Sequence, residues 1–222
     1  SGERNGAALT AVYINLGDFE FLEKTLNVPP FQIMKFADLD NDARPEWILS
    51  GEENGISYTK LLKQVSAFSW KVVHDTIKVK ATALEVIDAT GDGQMDLFVS
   101  GELKPDSLVS ALMVNNDGLY FEPGLTSEGL GVASTADVNL DGFFDVLMMG
   151  QDKSGALRAE LFQSAEGGYG IKNDPIKLKT PNPFAADFNS DGIADVNYVG
   201  KTAANDEINI VQYGNQDYDT LD

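Results

Sequence analysis

Four aspartate-rich stretches recur in this chain at a nearly constant distance: DLDNDARPE from Asp38, DATGDGQMD from Asp88, DVNLDGFFD from Asp137 and DFNSDGIAD from Asp187. Their first aspartates are 50, 49 and 50 residues apart, and a glycine follows each of them 13 positions later, at Gly51, Gly101, Gly150 and Gly200. Self-similarity at such a period marks a repeat architecture, in which each unit buries its apolar face only by stacking on its neighbours. The chain is therefore expected to be a row of similar units.

Alternate positions of each stretch carry oxygen. Positions 1, 3 and 5 are Asp38, Asp40 and Asp42; Asp88, Thr90 and Asp92; Asp137, Asn139 and Asp141; and Asp187, Asn189 and Asp191. Position 9 is acidic again, at Glu46, Asp96, Asp145 and Asp195. Position 7 varies freely (Arg44, Gln94, Phe143 and Ile193), as expected where only the backbone carbonyl is needed. A tightly turned loop with oxygens at alternate positions suits a hard divalent cation such as calcium, which takes about six to eight oxygen ligands. Position 6 is glycine in three copies, where the turn needs a backbone conformation costly to other residues, and Ala43 in the first. An EF-hand begins in the same way but requires a bidentate glutamate at position 12. Here that position is Leu49, Val99, Met148 or Tyr198, so the loops should lead into strands.

Asx-type turns capping hairpins use the same residue types without any metal. One such loop would be ambiguous. Four in register favour a cation, because carboxylates crowded into nine residues repel one another unless something positive lies among them.

On these loops the chain resembles the FG-GAP and VCBS repeats, the units of integrin-α-type β-propellers, over nearly its whole length. The resemblance implies that each loop joins the innermost strand of a blade to the next, with ligands at positions 1, 3, 5, 7 and 9. It implies up to four calcium ions bracing the blades, while partners bind loops at the opposite face. The Gly-Ala-Pro of integrins is missing, with SGE, SGE, MGQ and VGK in its place. That departure favours the broader VCBS-like group.

The spacers agree with an all-β fold. LEVID, DLFVSG, SLVSALMVN and LYFEP give four short apolar runs in one repeat, bounded by turn residues. Four strands in about 50 residues is the size of a propeller blade. Third strands are expected at Leu9–Ile14, Ser57–Leu62, Leu108–Val114, Leu157–Phe162 and Ile208–Tyr213. Fourth strands carry Phe19 and Phe21, Phe68 and Trp70, Tyr120 and Phe121, Tyr169 and Tyr218, expected to pack between blades. The whole chain reads as a single β-propeller domain over 1–222, with repeats at about 1–30 (a partial blade), 31–80, 81–130, 131–180 and 181–222. Four loop-bearing strand pairs stand against five hairpins of third and fourth strands. The chain thus forms either a five-bladed ring with one incomplete blade or a segment of a larger propeller.

Charge narrows the function. The formal net charge is −19, unsuited to phosphate-rich partners, so nucleic acid is not expected. Thirteen of the 35 acidic residues occupy the proposed ligand positions, and four divalent ions would reduce the net charge to −11. No apolar run is long enough for direct membrane insertion. The single histidine, His74, has no nucleophile motif near it, and no phosphate loop or zinc helix occurs, so the chain is not expected to be an enzyme. The expected role is a secreted or cell-surface module, extracellular or periplasmic, that recognises a protein or glycan. Segments 52–55, 103–106, 152–155, 202–206, 27–31 and 181–184 are the expected recognition loops. The alternatives are a non-catalytic part of a secreted lyase or hydrolase, and a structural spacer.

Overall fold

The computed structural model describes residues 2–5, 7–104, 107–116, 118–152, 154–165, 168–173, 177–179 and 181–214. Among them every regular element is a β-strand. The first sheet holds β1 (Gly2–Arg4), β2 (Ala7–Gly17) and β3 (Glu20–Leu26). The second holds β4 (Ile33–Ala37), β5 (Glu46–Glu53), β6 (Ile56–Ser66) and β7 (Ser69–Ile77). The third is β8 (Lys80–Ile87), β9 (Asp96–Lys104), β10 (Ser107–Asn115) and β11 (Phe121–Glu128). The fourth is β12 (Leu130–Ala136), β13 (Asp145–Gln151), β14 (Leu157–Ala165) and β15 (Gly168–Asn173). The fifth is β16 (Asn182–Ala186), β17 (Asp195–Lys201) and β18 (Glu207–Gln212). Each sheet is an antiparallel meander, and each aspartate loop joins its sheet's first and second strands, β4–β5, β8–β9, β12–β13 and β16–β17.

The second strands carry the core because they are buried on both faces, and successive side chains point to opposite faces of a sheet. In β5, Trp47 and Leu49 join a cluster with Val12 and Leu26 of the first sheet, while Ile48 joins Leu84, Leu97 and Val99 of the third. In β9, Phe98 points the other way, into a cluster with Val146 and Met148 of the fourth sheet. From β13, Leu147 and Met149 continue into a cluster with Val196 and Tyr198 of the fifth. The position-12 residues Leu49, Val99, Met148 and Tyr198 are all completely buried in these seams. An EF-hand glutamate is absent there because the position belongs to the core.

First strands of successive sheets also pack on one another, β4 with β8, β8 with β12 and β12 with β16. At two of the repeated glycines the backbone of, or leading into, the same sheet's own first strand passes close by. A Cβ on Gly51 would meet the Pro30 carbonyl oxygen and Phe31 Cα, and one on Gly101 would meet the Lys80 carbonyl oxygen and Ala81 Cα. The serine preceding each of these two glycines makes a buried hydroxyl joint. Ser50 Oγ accepts from Ala81 N at 2.7 Å, and Thr59 Oγ1 donates to Val79 O at 2.8 Å, tying the second sheet to the third. Ser110 Oγ donates to Gly129 O at 3.2 Å and lies 2.8 Å from Ser100 Oγ, repeating the device one sheet on.

Two expectations need correction. The aromatics of the fourth strands do not all pack between sheets: Phe121 is buried, but Phe19, Phe21, Phe68 and Tyr120 are exposed, because they sit at or beside the turn into the strand, beyond the reach of the neighbouring sheet. The first sheet is not a bare hairpin, because the short β1 pairs with β2. Tyr218 and residues 105, 106 and 153 of the expected recognition loops lie outside the described residues.

Candidate metal centre

One hydrogen-bond pattern builds all four loops. The position-1 carboxylate receives the position-6 N–H: Ala43 to Asp38 at 2.8 Å, and Gly93 to Asp88, Gly142 to Asp137 and Gly192 to Asp187 at 2.9 Å. The position-5 carboxylate receives the position-7 N–H, from Arg44 to Asp42, Gln94 to Asp92, Phe143 to Asp141 and Ile193 to Asp191, at 2.8–2.9 Å. These bonds hold the chain in a conformation that disfavours side chains. Position 6 has positive φ in every copy (Ala43 +65°, Gly93 +83°, Gly142 +91°, Gly192 +88°), as its glycines suggest. So does position 4, at Asn41 (+55°), Gly91 (+72°), Leu140 (+59°) and Ser190 (+64°), which the sequence does not advertise.

Position 9 is the buried member of each donor set. Glu46, Asp96, Asp145 and Asp195 are fully buried, and each accepts the N–H of its loop's second residue, from Leu39, Ala89, Val138 and Phe188, at 2.8–3.1 Å. In the last three loops the second oxygen accepts a backbone N–H from the end of the third strand or just beyond it: Asn115 at 2.8 Å, Ser164 at 2.9 Å and Gly214 at 2.9 Å. These carboxylates tie each loop to its sheet. Burial pushes Asp145 up to about 7; the two N–H donors oppose that shift, and Asp141 and Asp137 add to it. Burial likewise raises Asp96 and Glu46. A cation bound nearby would favour the ionised forms.

The remaining donors fit a hard cation unevenly. Asp38, Asp40 and Asp42 each offer an oxygen within 4.8 Å of the others. Asp40 Oδ1, Glu46 Oε1 and, in the second loop, Thr90 Oγ1 are buried without a hydrogen-bond partner. Amide groups stand beside the position-5 carboxylates of the last three loops: Gln94 Nε2 is 3.3 Å from Asp92 Oδ2, Asn139 Nδ2 3.0 Å from Asp141 Oδ2, and Asn189 Nδ2 2.9 Å from Asp191 Oδ2. Among the described residues, none of Asp88, Asp92, Asp137, Asp141, Asp187 and Asp191 forms an ion pair with a lysine or arginine.

The first loop differs. Lys63 Nζ, at the end of β6, hydrogen-bonds Asp40 Oδ2, lies 2.7 Å from Asp42 Oδ2 and stands 3.9 Å from Glu46 Oε1. The hydrogen bond to Asp40, then that to Asp42, raises the lysine's pKa, and the lysine lowers that of Asp42. Sequence reading missed Lys63 because only strand register brings it to the loop, through the pairing of Trp47 with Leu62. The corresponding pairs, Leu97 with Met113, Val146 with Phe162 and Val196 with Gln212, place the uncharged Val114, Gln163 and Tyr213 at its position.

Neighbouring loops meet at one end of the sheets. Asn41 Nδ2 lies 3.5 Å from Gly93 O, and the Phe143 ring covers the α-carbon of Gly91. The turns between third and fourth strands share that end, so the exposed Phe19, Phe68, Tyr120, Leu140, Phe144 and Phe188 gather there. Among the described residues, Ile56 and Leu103 are the exposed large apolar residues at the turns between second and third strands, on the opposite end. His74 contacts the Phe121 ring edge-on at 5.7 Å, and burial lowers its pKa. No helix of the described residues is long and apolar enough to cross a membrane. No protein-family model matches the chain, and no curated protein matches it either.

Proposed function

We propose that this chain is a calcium-braced β-propeller domain, or a segment of one, serving as a non-enzymatic recognition module for an extracellular protein or glycan. The observation that carries the reading is the shared geometry of the four loops. Each loop holds oxygen donors at positions 1, 3 and 5 on a strained backbone, and in the second loop Thr90 Oγ1 has no other partner. Calcium would supply the positive charge that the carboxylates of the last three loops lack, and so hold each first strand to its second. The propeller reading rests on the packing of β4, β8, β12 and β16 in sequence order. The FG-GAP/VCBS resemblance of the loops supports it.

The exposed apolar side chains favour the loop end as the recognition surface, rather than the opposite end that the resemblance implies. Loops on a rigid scaffold commonly carry recognition. Thermal melts with calcium and with excess chelator test the metal. A site held at 100-fold over its dissociation constant adds about 2.7 kcal/mol, and each kcal/mol moves Tm by roughly 2–4 °C in a domain of this size. Chelation should therefore lower Tm by roughly 5 °C or more, and an unchanged Tm refutes the brace. Binding to glycan and protein arrays, with Phe144→Ser at the loop end against Ile56→Ser at the other, tests the recognition surface. Equal binding by both variants refutes its placement.

A further inference from the structure

We infer that the first loop carries its own cation: the Lys63 ammonium occupies the place that calcium takes in the other three loops, so the loop at Asp38 is braced without metal. This rests on the calcium reading for the loops at Asp88, Asp137 and Asp187. The first loop has four carboxylates where each of the others has three, and among the described residues it alone receives a charged group from the body of its sheet. Lys63 Nζ reaches the side chains of positions 3 and 5 directly and faces the buried Glu46 Oε1, which has no hydrogen-bond partner.

Other charged groups near the loop add less to this neutralisation: the Arg44 charge also favours ionised Asp42, but less than Lys63 does. Arg44 belongs to the loop but contributes its backbone N–H to Asp42, and among the described residues its guanidinium forms no ion pair. The next sheet offers the Asn115 amide, which donates to Leu39 O at 2.8 Å, and Gly118, whose α-carbon packs on Asp40. Neither is charged.

The two kinds of brace differ in chemistry. An ammonium is tethered, so its local concentration does not depend on the medium, and it forms up to three directed hydrogen bonds. A calcium ion needs six to eight oxygens and is lost when free calcium falls below the dissociation constant. Calcium in the first loop would have to displace Lys63, since two cations among the same carboxylates repel each other. The second sheet therefore keeps its loop ordered when calcium is withdrawn, whereas the third to fifth sheets do not. The larger side chain at position 9 agrees with this. Glu46 is one methylene longer than aspartate, and its Oε1 extends toward the lysine while Oε2 holds Leu39 N at 2.9 Å.

Counting bound calcium by native mass spectrometry and titration calorimetry tests the inference. The wild-type chain should bind three ions. Lys63→Met should bind one more, and Lys63→Arg, which keeps the charge, should not. In the wild-type background, Asp40→Asn should leave the count unchanged, and in the Lys63→Met background it should remove the added ion. Near-ultraviolet circular dichroism from Trp47 and Trp70, whose tilted rings lie 4.3 Å apart beside this loop, checks that each variant is folded. If Lys63→Met unfolds without calcium, counting after refolding in calcium gives the same answer, and Lys63→Gln provides a second neutral variant. The inference is overturned if neither neutral variant gains an ion, or if Asp40→Asn lowers the wild-type count. A wild-type chain that binds no calcium refutes the general metal reading instead, and a single ion gained by Lys63→Met would then still establish the lysine's role.

Discussion

The middle of the molecule and its last sheet are made from the same strand pattern, yet they bury it differently. In β9, Leu97, Phe98 and Val99 are all completely buried, because a sheet lies against each face. In β17, Val196 and Tyr198 are buried against the fourth sheet, while Val199 on the far face is 37% exposed. The loops follow the same rule. Their second residues Leu39, Ala89 and Val138 are buried, and the equivalent Phe188 is exposed. Burial in a stacked array comes from the neighbour, so one sequence pattern yields a two-sided core in the middle and a one-sided core at the end.

Truncation should expose this difference most strongly. Phe98→Ala empties a site packed edge-to-face on Phe162 at 4.8 Å and should cost about 3–5 kcal/mol by urea denaturation. Val199→Ala should cost no more than about 0.5 kcal/mol. Comparable costs would mean that the far face of β17 is covered in solution.

The buried carboxylate in the middle gives the next largest effect. The folded-state value of about 7 for Asp145 lies above the roughly 3.9 of an unfolded aspartate. The folded state therefore holds the proton more tightly, and this contribution is complete below pH 4 and lost as pH rises through about 7. Without calcium, stability should fall over that window by up to roughly 4 kcal/mol from this group. The slope should lessen in Asp145→Asn, where Asp96 and Glu46 still contribute, and flatten when calcium is present. A calcium-free profile with the same slope in both proteins would remove Asp145 as its source.

The hydroxyl joints sharpen the comparison between seams. Ser110→Ala breaks the bond to Gly129 O and should cost about 1 kcal/mol or somewhat more in urea midpoint. The next seam has Met149 paired with Ala159 at the equivalent place and needs no such bond. No change in midpoint would show that the joint orders the seam without stabilising it.

The smallest effect should ignore the comparison altogether. Leu140→Gly and Ser190→Gly both relieve a positive φ, one in a central loop and one in the last. Each should gain about 1 kcal/mol in thermal or urea unfolding, because the strain is local to the backbone. A gain confined to one loop would mean that packing, rather than φ, sets the cost.

Much of the fold is legible in the chain. The runs LEVID, DLFVSG, SLVSALMVN and LYFEP correspond closely to β8, β9, β10 and the start of β11. Positions 1, 3 and 5 of the loops are legible too, since spacing alone sets the order of donors. Less visible is the division of labour among the acidic residues. Position 9 looks like one more ligand in the sequence, which does not reveal that Glu46, Asp96, Asp145 and Asp195 are also buried and accept backbone N–H groups. Position 4 gives no warning of its positive φ when it is Leu140.

By itself the sequence determined the repeat, the strands and the alternation of oxygens, because these depend on local spacing and on the period-2 geometry of a strand. Only the tertiary structure decided which acidic side chains are buried against backbone amides, which aromatics are exposed, and that Lys63 meets Asp40 and Asp42. Those outcomes depend on strand register and on the neighbouring sheet, which bring together residues that no local pattern connects.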